Sequence, residues 1–222
     1  MKKLSFVLFI ICTASLSAQK NKLDIGIAAA PNYNYLYGFD GLAAASYGPL
    51  MAFSAGLTVQ YNLPKVVSFV SGFFYEKKGE TVSGHVIYPS GNQEAFKVKY
   101  FFNYITVPLL ARFSFGKKIK FFAEGGGFVS YLTRSYTRSS GTAVNYSNDN
   151  TTFFYKRPDA GVSAGLGISL PLGEKLLLNI EARNNLGLMN ISVFPVYNNK
   201  SLKTNSINLL VNLAYKLGKR SV

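Results

Sequence analysis

Residues 104–115 alternate between two sets of positions. Ile105, Val107, Leu109, Ala111, Phe113 and Phe115 form one set; Tyr104, Thr106, Leu110, Arg112 and Ser114 form the other. A period of two puts the sets on opposite faces of a strand. One face is wholly apolar. The other carries an arginine at mid-strand, where the core of a soluble sandwich holds an aliphatic side chain. An apolar outside and a polar inside is what a transmembrane barrel needs, because lipid takes the place of the core as the apolar phase.

Seven further segments repeat the alternation: residues 23–31, 51–62, 66–77, 120–132, 159–170, 176–186 and 206–217. Each is near the ~9–11 residues that cross a bilayer at a tilt. In 159–170, Ala160, Val162, Ala164, Leu166, Ile168 and Leu170 face one way, and Asp159 with glycines and serines the other. The same phase puts Asp24, Glu76 and Glu124 on inward faces. The connections alternate in length. Residues 32–50, 78–98, 133–158 and 187–205 are long and rich in Asn, Ser, Gly, Tyr and Thr, whereas 63–65, 116–119 and 171–175 are tight turns with Pro or Gly. Short periplasmic turns and long outer loops are the rhythm of outer-membrane barrels. The pattern predicts an all-β fold, an eight-stranded antiparallel up-and-down transmembrane β-barrel with both chain ends on the periplasmic side. Tyr61, Phe69, Tyr75, Phe121 and Tyr131 fall near strand ends, where an aromatic girdle sits. Pro108 removes a ladder donor, so a bulge or a missing hydrogen bond is expected there.

Composition adds the compartment. Residues 1–18 read as a secretory signal, with Lys2 and Lys3 before an apolar run from Leu4 to Ile11 and cleavage after Ala18 or Ser17. Residues 19–222 then form one barrel domain. Cys12, the only cysteine, lies in the signal, so the mature chain offers no thiol, disulfide or cysteine ligand. No later stretch reaches the ~18 apolar residues of a spanning helix. The net charge is +14, or +12 once the two signal lysines are gone. No basic helix or RNA-binding aromatic motif accompanies it, which argues against nucleic acid. Anionic outer-membrane lipid and lipopolysaccharide phosphates are the partners that this charge suits.

Candidate chemistry follows from the inward faces. Arg112, Glu124, Glu181 and Arg183 all point into a lumen just wide enough for side chains to fill. Arg112 and Glu124 sit at nearly the same height on strands joined by a tight turn. Charges there must be paired, so a polar network plugging the lumen is the favoured reading, and ion conduction or gating the competing one. His85, the only histidine, has Glu80 and Glu94 as its nearest acids in the sequence. An incidental exposed histidine is favoured over a lipid-modifying enzyme. No catalytic residue, metal site or cofactor is assigned. Gly125–Gly127 lack the helix and lysine of a nucleotide loop, and with Gly161, Gly165 and Gly167 they read as room for bulky lumen side chains. In the outer loops, Tyr33, Tyr35 and Tyr37 alternate, and Phe153, Tyr155, Lys156 and Arg157 close the third connection. They suit protein or glycan contact, or strands prolonged above the membrane; residues 97–102 read the same way.

Several stretches in order resemble the PorT-like outer-membrane β-barrel family of Gram-negative bacteria. They are Phe74-Tyr75-Glu76-Lys77-Lys78-Gly79, Tyr104-Ile105-Thr106-Val107-Pro108-Leu109-Leu110, Phe122-Ala123-Glu124-Gly125-Gly126-Gly127-Phe128 and Asp159-Ala160-Gly161-Val162-Ser163-Ala164-Gly165-Leu166-Gly167. The resemblance spans nearly the whole mature chain, departing at residues 218–222, where a terminal aromatic is usual. It implies the barrel and an outer-membrane location. The family takes its name from a secretion-system component, so an envelope or secretion-complex protein enters as a partner on that ground, without the secretion activity being carried over. The expected function is therefore a non-enzymatic barrel, structural, adhesive or accessory to such a complex, acting through its outer loops. The alternatives are a narrow channel for small solutes and a barrel enzyme acting on lipid.

Overall fold

The computed structural model describes residues 23–41, 45–64, 66–89, 92–142 and 147–217. The signal of residues 1–18, Cys12 and the 218–222 end lie outside the described residues. Eight long antiparallel strands are β1 (Leu23–Tyr37), β2 (Ala45–Asn62), β3 (Val67–Ile87), β4 (Gln93–Phe115), β5 (Lys120–Gly141), β7 (Pro158–Leu172), β8 (Leu176–Gly187) and β9 (Lys203–Leu217), with a short β6 (Ser147–Asn150) against upper β5. Each long strand pairs with the next in the chain, β5 passing over β6 to β7, and β9 returns to β1. The ring is closed, so no long strand keeps an open edge.

The alternation sorts the wall as its phase requires. Ile27, Leu57, Phe73, Leu109, Leu166 and Leu209 are all more than half exposed on the outer surface. In water that would be an aggregation hazard; in a bilayer it is the solvated face. The lipid-facing band ends at its upper edge near Tyr33 and its partner Met51, and near Tyr75, Ile105 and Tyr131, which neighbour one another through strand pairing. Above it, the strands continue. β3, β4 and β5 run 21, 23 and 22 residues, about twice what a bilayer crossing uses.

This extension shortens the expected connections and follows the reading of strands prolonged above the membrane. Tyr33, Tyr35 and Tyr37 belong to β1, and residues 97–102 prolong β4. Much of the 32–50, 78–98 and 133–158 connections is ladder. Above the membrane the outer face meets water, so the outward apolar stripe ends while the inner face stays packed and backbone pairing goes on. Pro108 causes no bulge: β3–β4 pairing lapses at Gly72 and Phe73, opposite Pro108 and Val107, then resumes in the same register. Ser71 donates its hydroxyl to the Pro108 carbonyl at 2.8 Å. The bulges fall elsewhere, in β2 between Pro49 and Ser54 and in β5 beside Leu132.

Candidate functional site

Strand parity stacks the interior in layers. Nearest the short turns, Asn62 donates to Asp24 at 2.8 Å, and Gln60 and Ser68 join Asn62. Above them Arg112 and Glu124 are direct register partners across β4 and β5. Arg112 Nε donates to Glu124 Oε2 at 2.7 Å, Nη2 reaches Glu181 at 3.1 Å, and Nη1 reaches Gln60 at 3.1 Å. Arg183 Nε bonds Glu181 Oε1 at 2.6 Å, and its Nη2 lies 2.9 Å from Glu124 Oε1. Two guanidiniums and two carboxylates thus close a charge-neutral square, all nearly inaccessible to solvent. It draws on β4, β5 and β8, with Gln60 reaching in from β2, so it bridges opposite walls. Arg112 Cζ also lies over the Phe122 ring, 3.7 Å from its centroid, where a cation gains from the π face.

Of the six glycines expected to leave room for lumen side chains, Gly165 and Gly167 do so, whereas Gly125, Gly126, Gly127 and Gly161 stand against neighbouring backbone. A Cβ at Gly165 would stand 2.8 Å from Glu181 Oε1, and one at Gly167 would meet Phe122 Cζ. Small residues on β7 let large ones from β5 and β8 fill the axis.

A second ionic layer escaped the sequence reading. Glu76 accepts from Ser206 at 2.6 Å, Thr106 at 2.9 Å and Asn185 at 3.1 Å. Lys78 Nζ lies 3.7 Å from Glu76 and 3.6 Å from Asp159, and Thr204 donates to Asp159 at 2.8 Å. Glu76 and Asp159 were already on inward faces, and carrying the third strand's parity two residues further would have added Lys78. Between the ionic layers sits a small apolar one of Ala28, Ala30, Phe74 and Leu210. Above the second sits an apolar cap of Leu36, Phe102, Tyr104, Leu132 and Ile191. Ile191 comes from the β8–β9 connection, pinned by its N–H to Leu202 O at 2.9 Å and its carbonyl to the Lys156 N–H at 2.7 Å.

The outer candidates do not gather into one patch. Tyr33 is exposed on β1; the Tyr35 hydroxyl accepts from Asn205 at 2.9 Å and the Tyr37 hydroxyl donates to Gly187 O. Phe153 is exposed and packs on Phe154, whereas Tyr155 turns inward, its ring edge-on to Phe102 at 4.7 Å. Lys156 contributes its backbone N–H to Ile191. Arg157 donates to the carbonyls of Leu132 and Thr133 at 2.9 and 2.8 Å, just beyond the last β5–β7 pair, Tyr131↔Pro158. His85 pairs with Ala95 near the tip of the β3–β4 hairpin. Among the described residues no His/Cys/Asp/Glu cluster fits a metal ion.

One outward patch was missed. Just above the lipid-facing band, Lys77, Lys99, Arg134 and Arg138 surround Phe101 and Tyr136 on β3, β4 and β5. The two rings stack at 4.8 Å, and Lys77 Nζ lies 5.6 and 5.9 Å from them. Arg134 and Arg138 lie 5.6 and 5.8 Å from the nearer ring. Among the described residues none of the four cations is in an ion pair. Its signal was the alternation of basic and aromatic residues at positions 97–101, read as prolonged strand, and 134–138, placed in a loop and so not set beside them.

Residues 17–193 match the family described as outer membrane protein beta-barrel domain. A search among curated proteins gave no significant match. Solved structures with a similar chain path include Neisserial surface protein A, at 14% identity and a TM-score of 0.46, covering 87% of this chain and 96% of that one. Ail, the attachment invasion locus protein of Yersinia pestis, follows at 9% identity and 0.38, covering 87% and 98%. OprG from Pseudomonas aeruginosa stands at 13% and 0.39, covering 88% and 95%. Likeness at that level carries no functional argument. The family match spans most of the chain and agrees with the closed ring, the outward apolar band and the short-turn end. The chain belongs to the outer-membrane protein β-barrel domain family, and its place is the outer membrane.

Proposed function

We propose that this barrel does not conduct, that it is not an enzyme, and that it works through the part rising above the membrane. The observation that carries the reading is the Arg112–Glu124–Glu181–Arg183 square, which joins opposite walls at the narrowest scale a barrel offers. Solutes passing through would have to break charge-assisted bonds that have no water to replace them. His85 stands at a hairpin tip with no hydrogen bond to an acid or hydroxyl among the described residues, which supports no hydrolytic chemistry. The test is single-channel recording in planar bilayers. Wild-type protein is expected to give no steady current, and Arg112→Ala with Glu124→Ala to give measurable openings. A stable wild-type conductance would favour the narrow channel for small solutes.

The basic and aromatic patch of Lys77, Lys99, Arg134 and Arg138 supports lipopolysaccharide as a partner. It stands at headgroup height on the wall itself, and unpaired cations there attract phosphates. Replacing Lys77, Arg134 and Arg138 together by Ala is expected to lower the lipopolysaccharide phosphate that copurifies with the barrel. The resemblance to PorT-like barrels supports an accessory role in an envelope or secretion complex, with the outer hairpins as its contact surface. Crosslinking in intact outer membranes followed by copurification is the direct check of that role.

A further inference from the structure

Above the apolar cap the interior opens into a cup of about 310 Å³. Its walls are Phe39, Tyr47, Phe96, Tyr100 and Tyr155, with Glu80 as the only acid in the lining. Phe39 and Tyr47 meet edge to face at 5.4 Å, so part of the wall is fixed in shape. Glu80 is 4% exposed, and one of its oxygens accepts the Leu36 N–H at 3.3 Å. Among the described residues no cation lies within ion-pair distance of it. Lys78, the next inward position along β3, is committed to Glu76 and Asp159 in the layer below.

A buried carboxylate without a cation is costly, so it either takes a proton or meets a positive charge from outside. Burial pushes Glu80 up to about 7, with the Leu36 N–H opposing part of the rise, so both states are in reach near neutrality. The walls decide which outside charge fits. A calcium or magnesium ion needs six or more oxygen ligands, and this cup presents one carboxylate, the neutral hydroxyls of Tyr47, Tyr100 and Tyr155, and otherwise rings and aliphatic groups. Aromatic faces, in contrast, attract weakly hydrated organic cations and tolerate their alkyl substituents. By register Tyr47, Glu80, Phe96 and Tyr100 share the inward face of β2, β3 and β4, so the ligand the cup suits comes from solution rather than from the lipid-facing wall.

We propose that this cup is a binding site for a small organic ammonium ion, held by the Glu80 carboxylate and the surrounding aromatic faces. The test uses the full mature chain refolded in detergent micelles, titrated calorimetrically with choline and with 3,3-dimethylbutan-1-ol, in which a carbon replaces the charged nitrogen. Choline is expected to bind at least tenfold more tightly than the alcohol, and more tightly at pH 8 than at pH 5. Glu80→Gln should lose at least tenfold for choline and nothing for the alcohol. Tyr155→Leu, which keeps an apolar wall but removes a ring, should weaken choline several-fold. Both variants are to be checked for unheated gel mobility equal to wild type. If Glu80→Gln does not fold, the alcohol and pH comparisons on wild type decide alone. Equal binding of both compounds, choline affinity independent of pH, or no choline binding at millimolar concentration would each overturn the proposal.

Discussion

Arg112 shows how a single residue is held when the solvent is lipid. Its guanidinium has three hydrogen-bonding partners and a ring beneath it, so it is buried without being unsatisfied. Arg112→Ala leaves two carboxylates facing one arginine, and breaking such a buried pair costs about 3–5 kcal/mol. Removing Glu124 as well leaves Arg183 with Glu181, again neutral. Guanidinium unfolding of the barrel in vesicles should therefore show Arg112→Ala with Glu124→Ala less destabilised than the two single losses added together. Glu80, above the lipid-facing band, gives a pH effect of definite sign. Its carboxyl is raised from 4.5 to about 7 by burial, so the folded state holds the proton more tightly than the unfolded chain. The stability this gives is full below about pH 4.5 and is lost as pH rises through about 7. The unfolding midpoint of Glu80→Gln, taken relative to wild type, should climb between pH 4.5 and 8. A flat difference would mean that the carboxyl titrates as in water.

Among the elements, the β3–β4 hairpin separates spanning from presenting. Its lower half carries Phe69, Phe73, Leu109 and Phe113 to lipid, while its upper half pairs from Val82↔Val98 to Ile87↔Gln93 clear of the band. Only the lower half is needed for insertion. Replacing residues 82–98 by an Asn-Gly turn should leave a barrel that still migrates differently unheated and boiled, yet lacks the Val82, Phe96 and Val98 wall of the cup. Loss of the heat-dependent shift would place folding information in the upper half. The lower half was legible from sequence because lipid on one face and a packed lumen on the other enforce strict alternation. In the upper half only residues 97–102 were legible as strand, since water meets the outer face there and Lys97 and Lys99 replace the outward apolar residues without breaking the ladder. Pro108 was legible as a lost donor. Whether it also forced a bulge depended on how β3 accommodated it.

At the scale of the molecule, closure through β9 and β1 is the decisive contact. Their pairing runs from Leu23↔Leu217 to Tyr37↔Lys203. Without β9, β1 and β8 would expose unpaired N–H and C=O groups to hydrocarbon, each costing several kcal/mol. A chain ending before Lys203 should neither insert into vesicles nor show the heat-dependent shift, although it keeps seven of the eight ring strands. Insertion of that truncated chain would mean that the ring can close by another register.

The sequence alone determined the spanning strands, the face each shows to lipid and the inward placement of Arg112, Glu124, Glu181 and Arg183. All of these follow from a period of two acting within one strand, which local order records. Tertiary structure decided what those charges touch across the lumen, that Lys78 joins Glu76 and Asp159, and that Ile191 returns from a distant connection to cap them. It also placed Glu80 beneath aromatic walls from several strands. Such contacts join residues far apart in the chain and depend on ring closure and strand register, neither of which a single strand's alternation encodes.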